Sequence, residues 1–110
     1  MSALTPCHLN FLTVKAHELY TAVDPVSAAH RHAIARWLAA RGLKRIADFG
    51  GGLGELARAI AGAAPTACVD VIEPHASALA RRRTADLASV RWCDDFDGEY
   101  DAVVAQDVLE

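Results

Sequence analysis

The stretch Arg45-Ile46-Ala47-Asp48-Phe49-Gly50-Gly51-Gly52-Leu53-Gly54-Glu55-Leu56-Ala57 reads as a strand, a tight turn and the start of a helix. A short apolar run carries an acid near its end. Glycines at 50, 51, 52 and 54 follow, and then an alanine-rich helical pattern. Glycine is needed where the backbone must take positive φ or come close to a ligand. The first N–H groups of the helix that opens here have no internal partner, so they can hold an anion or a polar ligand edge.

Two glycine spacings compete for this turn. In the dinucleotide fingerprint G-x-G-x-x-G/A, Gly50 and Gly52 supply the first two glycines, but the third falls on Glu55, whose bulk does not suit close helix–strand packing. The spacing D-x-G-x-G-x-G is filled completely by Asp48, Gly50, Gly52 and Gly54, with Gly51 inside it. This pattern resembles the first motif of the class I, Rossmann-like S-adenosylmethionine-dependent methyltransferases. The resemblance implies a glycine turn passing under the methionine part of the cofactor. It also implies that the acid at Asp48 helps to organise the turn and the cofactor's amino group.

Outward from the turn, the chain alternates strand and helix. The first strand spans about 45–49, and the helix after the turn runs to about Ala63, with Leu56, Ala57 and Ile60 inward. Thr66 to Glu73 reads as a second strand. Its near-continuous apolar run Cys68, Val69, Val71 and Ile72 suits a parallel strand covered on both faces. A helix from His75 to about Asp86 follows, with Ala76, Leu79, Ala80 and Leu87 near one face and Arg81, Arg82 and Arg83 on a solvated one. Val90 to Cys93 is a short third strand, 94–99 an acidic turn, and Tyr100 to Ala105 a fourth strand. Upstream, His8 to Tyr20 has near-helical apolar spacing. A second helix from near Val26 to Arg41 buries Ala29, Ala33, Ile34, Trp37 and Leu38, leaves Arg31, Arg36 and Arg41 solvated, and closes at Gly42. The alternation predicts an α/β, Rossmann-like parallel sheet with right-handed crossovers. The resemblance implies that residues 1–42 form N-terminal helices covering the cofactor site and 43–110 a cofactor-binding half-domain, in one structural domain overall.

Three further positions carry the resemblance. Glu73, followed by Pro74, stands at the end of the second strand, where a carboxylate accepts the ribose hydroxyls of a nucleoside. The alternative there is a helix-capping acid, and Asp70 is a rival acid inside the strand. Asp94, with Asp95 as the alternative one residue on, stands past the third strand, where the family receives the adenine amino group. The competing reading is ordinary turn chemistry. The last stretch, Tyr100 to Glu110, resembles the family's fourth strand and the loop after it, which puts Gln106 and Asp107 near the methionine end and makes Asp101 structural. The family sheet has seven strands in the order 3-2-1-4-5-7-6. The chain supplies 3-2-1-4, so a truncated or partial protein is expected.

Composition bounds the rest. At 110 residues the chain holds at most one domain, and a net charge of −3 gives no argument for a nucleic-acid or membrane surface. Cys7, Cys68 and Cys93 form no C-x-x-C pair and read as free thiols of a cytoplasmic protein. The scattered histidines do not complete a metal ligand set. The N-P-P-Y type motif of amino-group methylation is absent, which favours a small-molecule acceptor. The expectation is therefore a methyltransferase using S-adenosylmethionine, with no general base or oligomeric state assigned. A non-catalytic S-adenosylmethionine-binding module or pseudo-enzyme, and a nicotinamide-dependent oxidoreductase, are the rival classes.

Overall fold

The computed structural model describes residues 25–105. In chain order these form α1 (Pro25–Ala40), β1 (Arg45–Phe49), α2 (Glu55–Ala63), β2 (Cys68–Ile72), α3 (Ala78–Arg83), β3 (Val90–Cys93) and β4 (Ala102–Val104). The strands make one sheet, parallel as the strand–helix alternation implies, in the order β3-β2-β1-β4 that the family resemblance implies. Among the described residues, no helix is long and apolar enough to cross a membrane.

Side chains alternate across the sheet. One face presents Ile46, Val69 and Val71, which meet Leu56, Ala57 and Ile60 of α2 and Ala35 and Leu38 of α1 in a single apolar core. The opposite face presents Arg45, Asp70 and Arg91. Asp70 is buried there and accepts hydrogen bonds from Arg45 Nη2 (2.9 Å), Arg91 Nε and Nη2 (3.1 and 2.8 Å) and the Tyr100 hydroxyl (2.7 Å). Arg45 also lies over the Tyr100 ring, and Phe49 stacks on Phe96. The 94–101 loop is thereby folded back over this face of the sheet.

β1, β3 and the inward set of α2 follow the expected pattern, while several other expectations need correction. Arg31 is not solvated. It is 8% exposed and shares the inward stripe of α1 with Ala35 and Leu38. Ala29, Ala33 and Trp37 are exposed instead. Alanines occur on every side of this helix, so apolar spacing does not choose its face, and packing against α2 does. Trp37 is 53% exposed, with the Arg41 guanidinium 3.6 Å from its ring centroid. Cys68 is exposed, because it opens β2 at the sheet's rim rather than lying under cover. The third helix is a short α3, because Ser77 caps it by accepting from Ala80 N–H and Thr84 ends it. Arg83 is not simply solvated, since it donates to Glu55 at the start of α2. Tyr100 lies outside β4, where its hydroxyl serves Asp70. The expected helix over 8–20, with Tyr20, and the positions Gln106 and Asp107 lie outside the described residues.

Candidate functional site

The register brings the predicted positions to one edge. Phe49, Ile72 and Cys93, the last residues of β1, β2 and β3, are aligned partners across the sheet. The glycine turn, Glu73 and Asp94 each follow directly, so all three stand in a row at the carboxyl edge. Strands spaced ~4.8 Å apart give this row a breadth of about 10 Å, the scale of a nucleoside. β1 lies between β2 and β4, and the chain reverses its winding at this point, where open α/β sheets bind ligands.

The turn is built on close approach. Gly50 N–H donates to Ile72 C=O (2.9 Å), which ties the turn to the end of β2, and Gly54 N–H donates to Gly51 C=O (2.8 Å). A Cβ on Gly51 would lie 2.5 Å from Val71 Cγ1 and 2.8 Å from Asp48 Oδ2, so only glycine fits there. Gly54 takes φ +81° and caps α2 with no side-chain hydrogen bond, which leaves the first N–H groups of the helix without a side-chain acceptor.

Asp48 lies beneath this turn, 2% exposed, and its Oδ2 is buried without a hydrogen-bond partner. Burial, and secondarily the charge of Glu73, push its carboxyl up to about 7. A buried acceptor with no donor is costly to leave unsatisfied. It concentrates negative potential below the turn, beside the unpaired N–H groups of a helix start. Such a pairing suits a ligand with an ammonium group and a carboxylate close together.

Glu73 is half-buried, with its N–H donating to Cys93 C=O and its Oε1 accepting from His75 N–H (3.3 Å). It does not cap a helix, because Ser77 caps α3. Asp70, the rival acid, is committed to Arg45, Arg91 and Tyr100 on the far face. Pro74 is exposed beside Glu73. Asp95 Oδ1 accepts from Phe96 N–H (2.7 Å), whereas Asp94 makes no such local bond. Asp101 Oδ2 accepts from Lys44 and Arg45 N–H and is structural, as expected. The structure thus brings Asp48, Gly50, Gly51, Gly52, Gly54, Glu73 and Asp94 to one edge, with Pro74 and Asp95 alongside.

Two features were not predicted from the sequence. The Asp70 cluster joins residues far apart in the chain, and only the opposed charges at Arg45, Asp70 and Arg91 on neighbouring strands could have signalled it. The second is Trp92, whose Nε1–H donates to Thr84 Oγ1 (2.8 Å) behind Gly54. No spacing rule links those residues.

No protein-family model matches the chain, and a search of curated proteins finds no match. Solved structures do resemble it. The chain is similar to the mitomycin 7-O-methyltransferase MmcR, at 23% identity and TM-score 0.68, over 86% of this chain and 31% of that one. It is similar to the plantazolicin methyltransferase BpumL, whose crystal structure is a complex with SAH and a substrate analogue, at 18% identity and TM-score 0.53, over 83% of this chain and 48% of that one. A likely methyl transferase from Burkholderia thailandensis, bound to S-adenosyl-homocysteine, matches at 24% identity and TM-score 0.53, over 74% of this chain and 26% of that one. The chain therefore spans less than half the length of these proteins. Sheet order, glycine turn and structural likeness together define the class: the chain has the class I methyltransferase fold, in the part that carries strands 3-2-1-4.

Proposed function

We propose that this chain is the cofactor-binding half of an S-adenosylmethionine-dependent methyltransferase acting on a small-molecule acceptor. The observation that carries the reading is the row at the carboxyl edge. The glycine turn, Glu73 and Asp94 stand in register above a buried Asp48 whose Oδ2 has no donor. In this reading the turn and the start of α2 hold the amino-acid end, Glu73 accepts the ribose hydroxyls, and Asp94 receives the adenine amino group. When bound, S-adenosylmethionine supplies an electrophilic methyl on a sulfonium. The contribution of this half is to hold its ligand fixed in place and direction, which lowers the entropic part of the barrier. The negative potential of Asp48 and Glu73 favours a cation over the turn.

Titration calorimetry with S-adenosylhomocysteine tests the reading. Micromolar binding to the wild-type chain is expected, lost in Asp48→Ala and Glu73→Ala. A folded wild-type chain that does not bind S-adenosylhomocysteine would rule the reading out.

A further inference from the structure

The back of the glycine turn is braced by side chains from two other elements. Gly54, the αL residue that starts α2, has no room for a Cβ. Such an atom would lie 2.7 Å from Thr84 Cγ2 and 3.1 Å from Trp92 Cζ2. Thr84 ends α3 and is buried, and its hydroxyl hydrogen-bonds toward the Ala80 and Arg81 carbonyls at 3.3 and 3.4 Å. That orientation turns an oxygen lone pair toward Trp92, whose Nε1–H donates to it at 2.8 Å. Trp92 sits on β3, two residues before Asp94, with its indole reaching across to the turn. The same junction is latched on its outer side. Glu55, the first residue of α2, accepts from Arg83 Nε (3.0 Å), and Arg58 donates to Asp86 (2.8 Å) and to Arg83 C=O.

We infer that Trp92 and Thr84 are positioning residues, whose hydrogen bond sets the height of the glycine turn against β3 and so the placement of the ligand's amino-acid end. The inference rests on the cofactor reading above. The physical ground is that a glycine turn has no side chains with which to stiffen itself, so its position is set by what it leans on. Here one face leans on Asp48 and Val71 through Gly51, and the other on Thr84 and Trp92 through Gly54. The nucleoside end depends instead on Glu73 and Asp94, which the strand ends hold directly. A fault in the brace therefore separates the two halves of the ligand.

The test compares S-adenosylhomocysteine with adenosine, which lacks the amino-acid end, in Trp92→Phe, Thr84→Val, Thr84→Ser and the Trp92→Phe/Thr84→Val double variant. Trp92→Phe and Thr84→Val should each weaken S-adenosylhomocysteine about 5–10-fold, the worth of one net hydrogen bond. Adenosine should change less than about twofold. The double variant should be no worse than either single one, and Thr84→Ser, which keeps the hydroxyl and loses only the methyl beside Gly54, should retain clearly more affinity than Thr84→Val. Hydrogen exchange gives a reading without ligand: amides of 50–55 should exchange faster in Thr84→Val, while those of Ile46 and Ala47 keep their protection. Equal loss of both ligands, additive effects, or unchanged exchange at the turn would overturn the inference. A wild-type chain that binds neither ligand overturns the cofactor reading itself, and with it the ligand-placing role. The exchange data then decide separately whether the indole braces the turn.

Discussion

Asp48 is where sequence motif and physical cost meet. Its carboxyl is held at about 7 by burial first and by Glu73 second. A group whose folded pKa is raised binds more protons when folded than when unfolded, between the ordinary carboxylate range and about pH 7. Stability therefore falls as pH rises through that window and is level above it. Asp48→Asn removes the penalty, which is on the order of 2–4 kcal/mol. Its melting temperature should exceed that of the wild type by about 5–15 °C at pH 8 and match it at pH 4. The same change should weaken S-adenosylhomocysteine binding, so stability and affinity move in opposite directions. In the wild type, a cationic ligand over the turn favours the ionised carboxylate. Affinity should thus rise from pH 6 to pH 8, and binding near neutrality should release protons, read by calorimetry in buffers of different ionisation enthalpy. A melting curve for Asp48→Asn that tracks the wild type at both pH values would show that the buried acid is already satisfied.

At the scale of elements, strands β1, β2 and β3 are cross-linked by one acid. Burial alone would raise the Asp70 carboxyl, but hydrogen bonds from Arg91, Tyr100 and Arg45, with the charge of Arg91, outweigh it and hold the group below the usual carboxylate range. The sign is opposite to that of Asp48. The stability this cluster gives is fully present above the ordinary carboxylate pKa and is lost as pH falls through the lowered one. Asp70→Asn should cost about 2 kcal/mol at pH 7, a figure kept small because both guanidiniums are well exposed to water. The variant should also lose the wild type's steep acid limb below pH ~4. Denaturant melts across pH 2–7 check both points. The cluster lies on the face away from the core and turns the 94–101 loop back, which sets where β3 ends and hence where Asp94 stands.

For the molecule as a whole, β4 is the outer strand of the sheet among the described residues. Val103 is 56% exposed on it. A groove of about 500 Å³ lined by Ile34, Trp37, Leu38 and residues 102–105 runs alongside. An open apolar edge templates pairing between chains, and a charge on it opposes that pairing. Val103→Lys should lower concentration-dependent association in sedimentation velocity while moving the melting temperature by less than about 2 °C. Unchanged association, or none in the wild type, would show that this edge does not drive pairing.

The strand, turn and helix around 45–57 were legible residue by residue, because each local rule agrees there. An apolar run buries a strand, glycines allow the turn, and Leu56, Ala57 and Ile60 repeat at helical spacing. From that unit and the alternation after it follows the parallel sheet, while its order and the carboxyl-edge row of Gly50 to Gly54, Glu73 and Asp94 came from the family resemblance that the glycine spacing carries. Three things were not legible. Which face of α1 is buried was undetermined because alanine suits every face, so Arg31 went inside only once α2 was in place. Asp70 read only as a rival to Glu73 inside an apolar strand until register set Arg91 beside it and folding brought Arg45 and Tyr100 to it. Trp92 and Thr84 are ordinary residues in sequence and became a brace only when β3 and the end of α3 met behind Gly54. Periodicity and turn chemistry act over a few residues and are written along the chain. Polar pairing and steric support act across space, and only the tertiary structure decides which distant residues will meet.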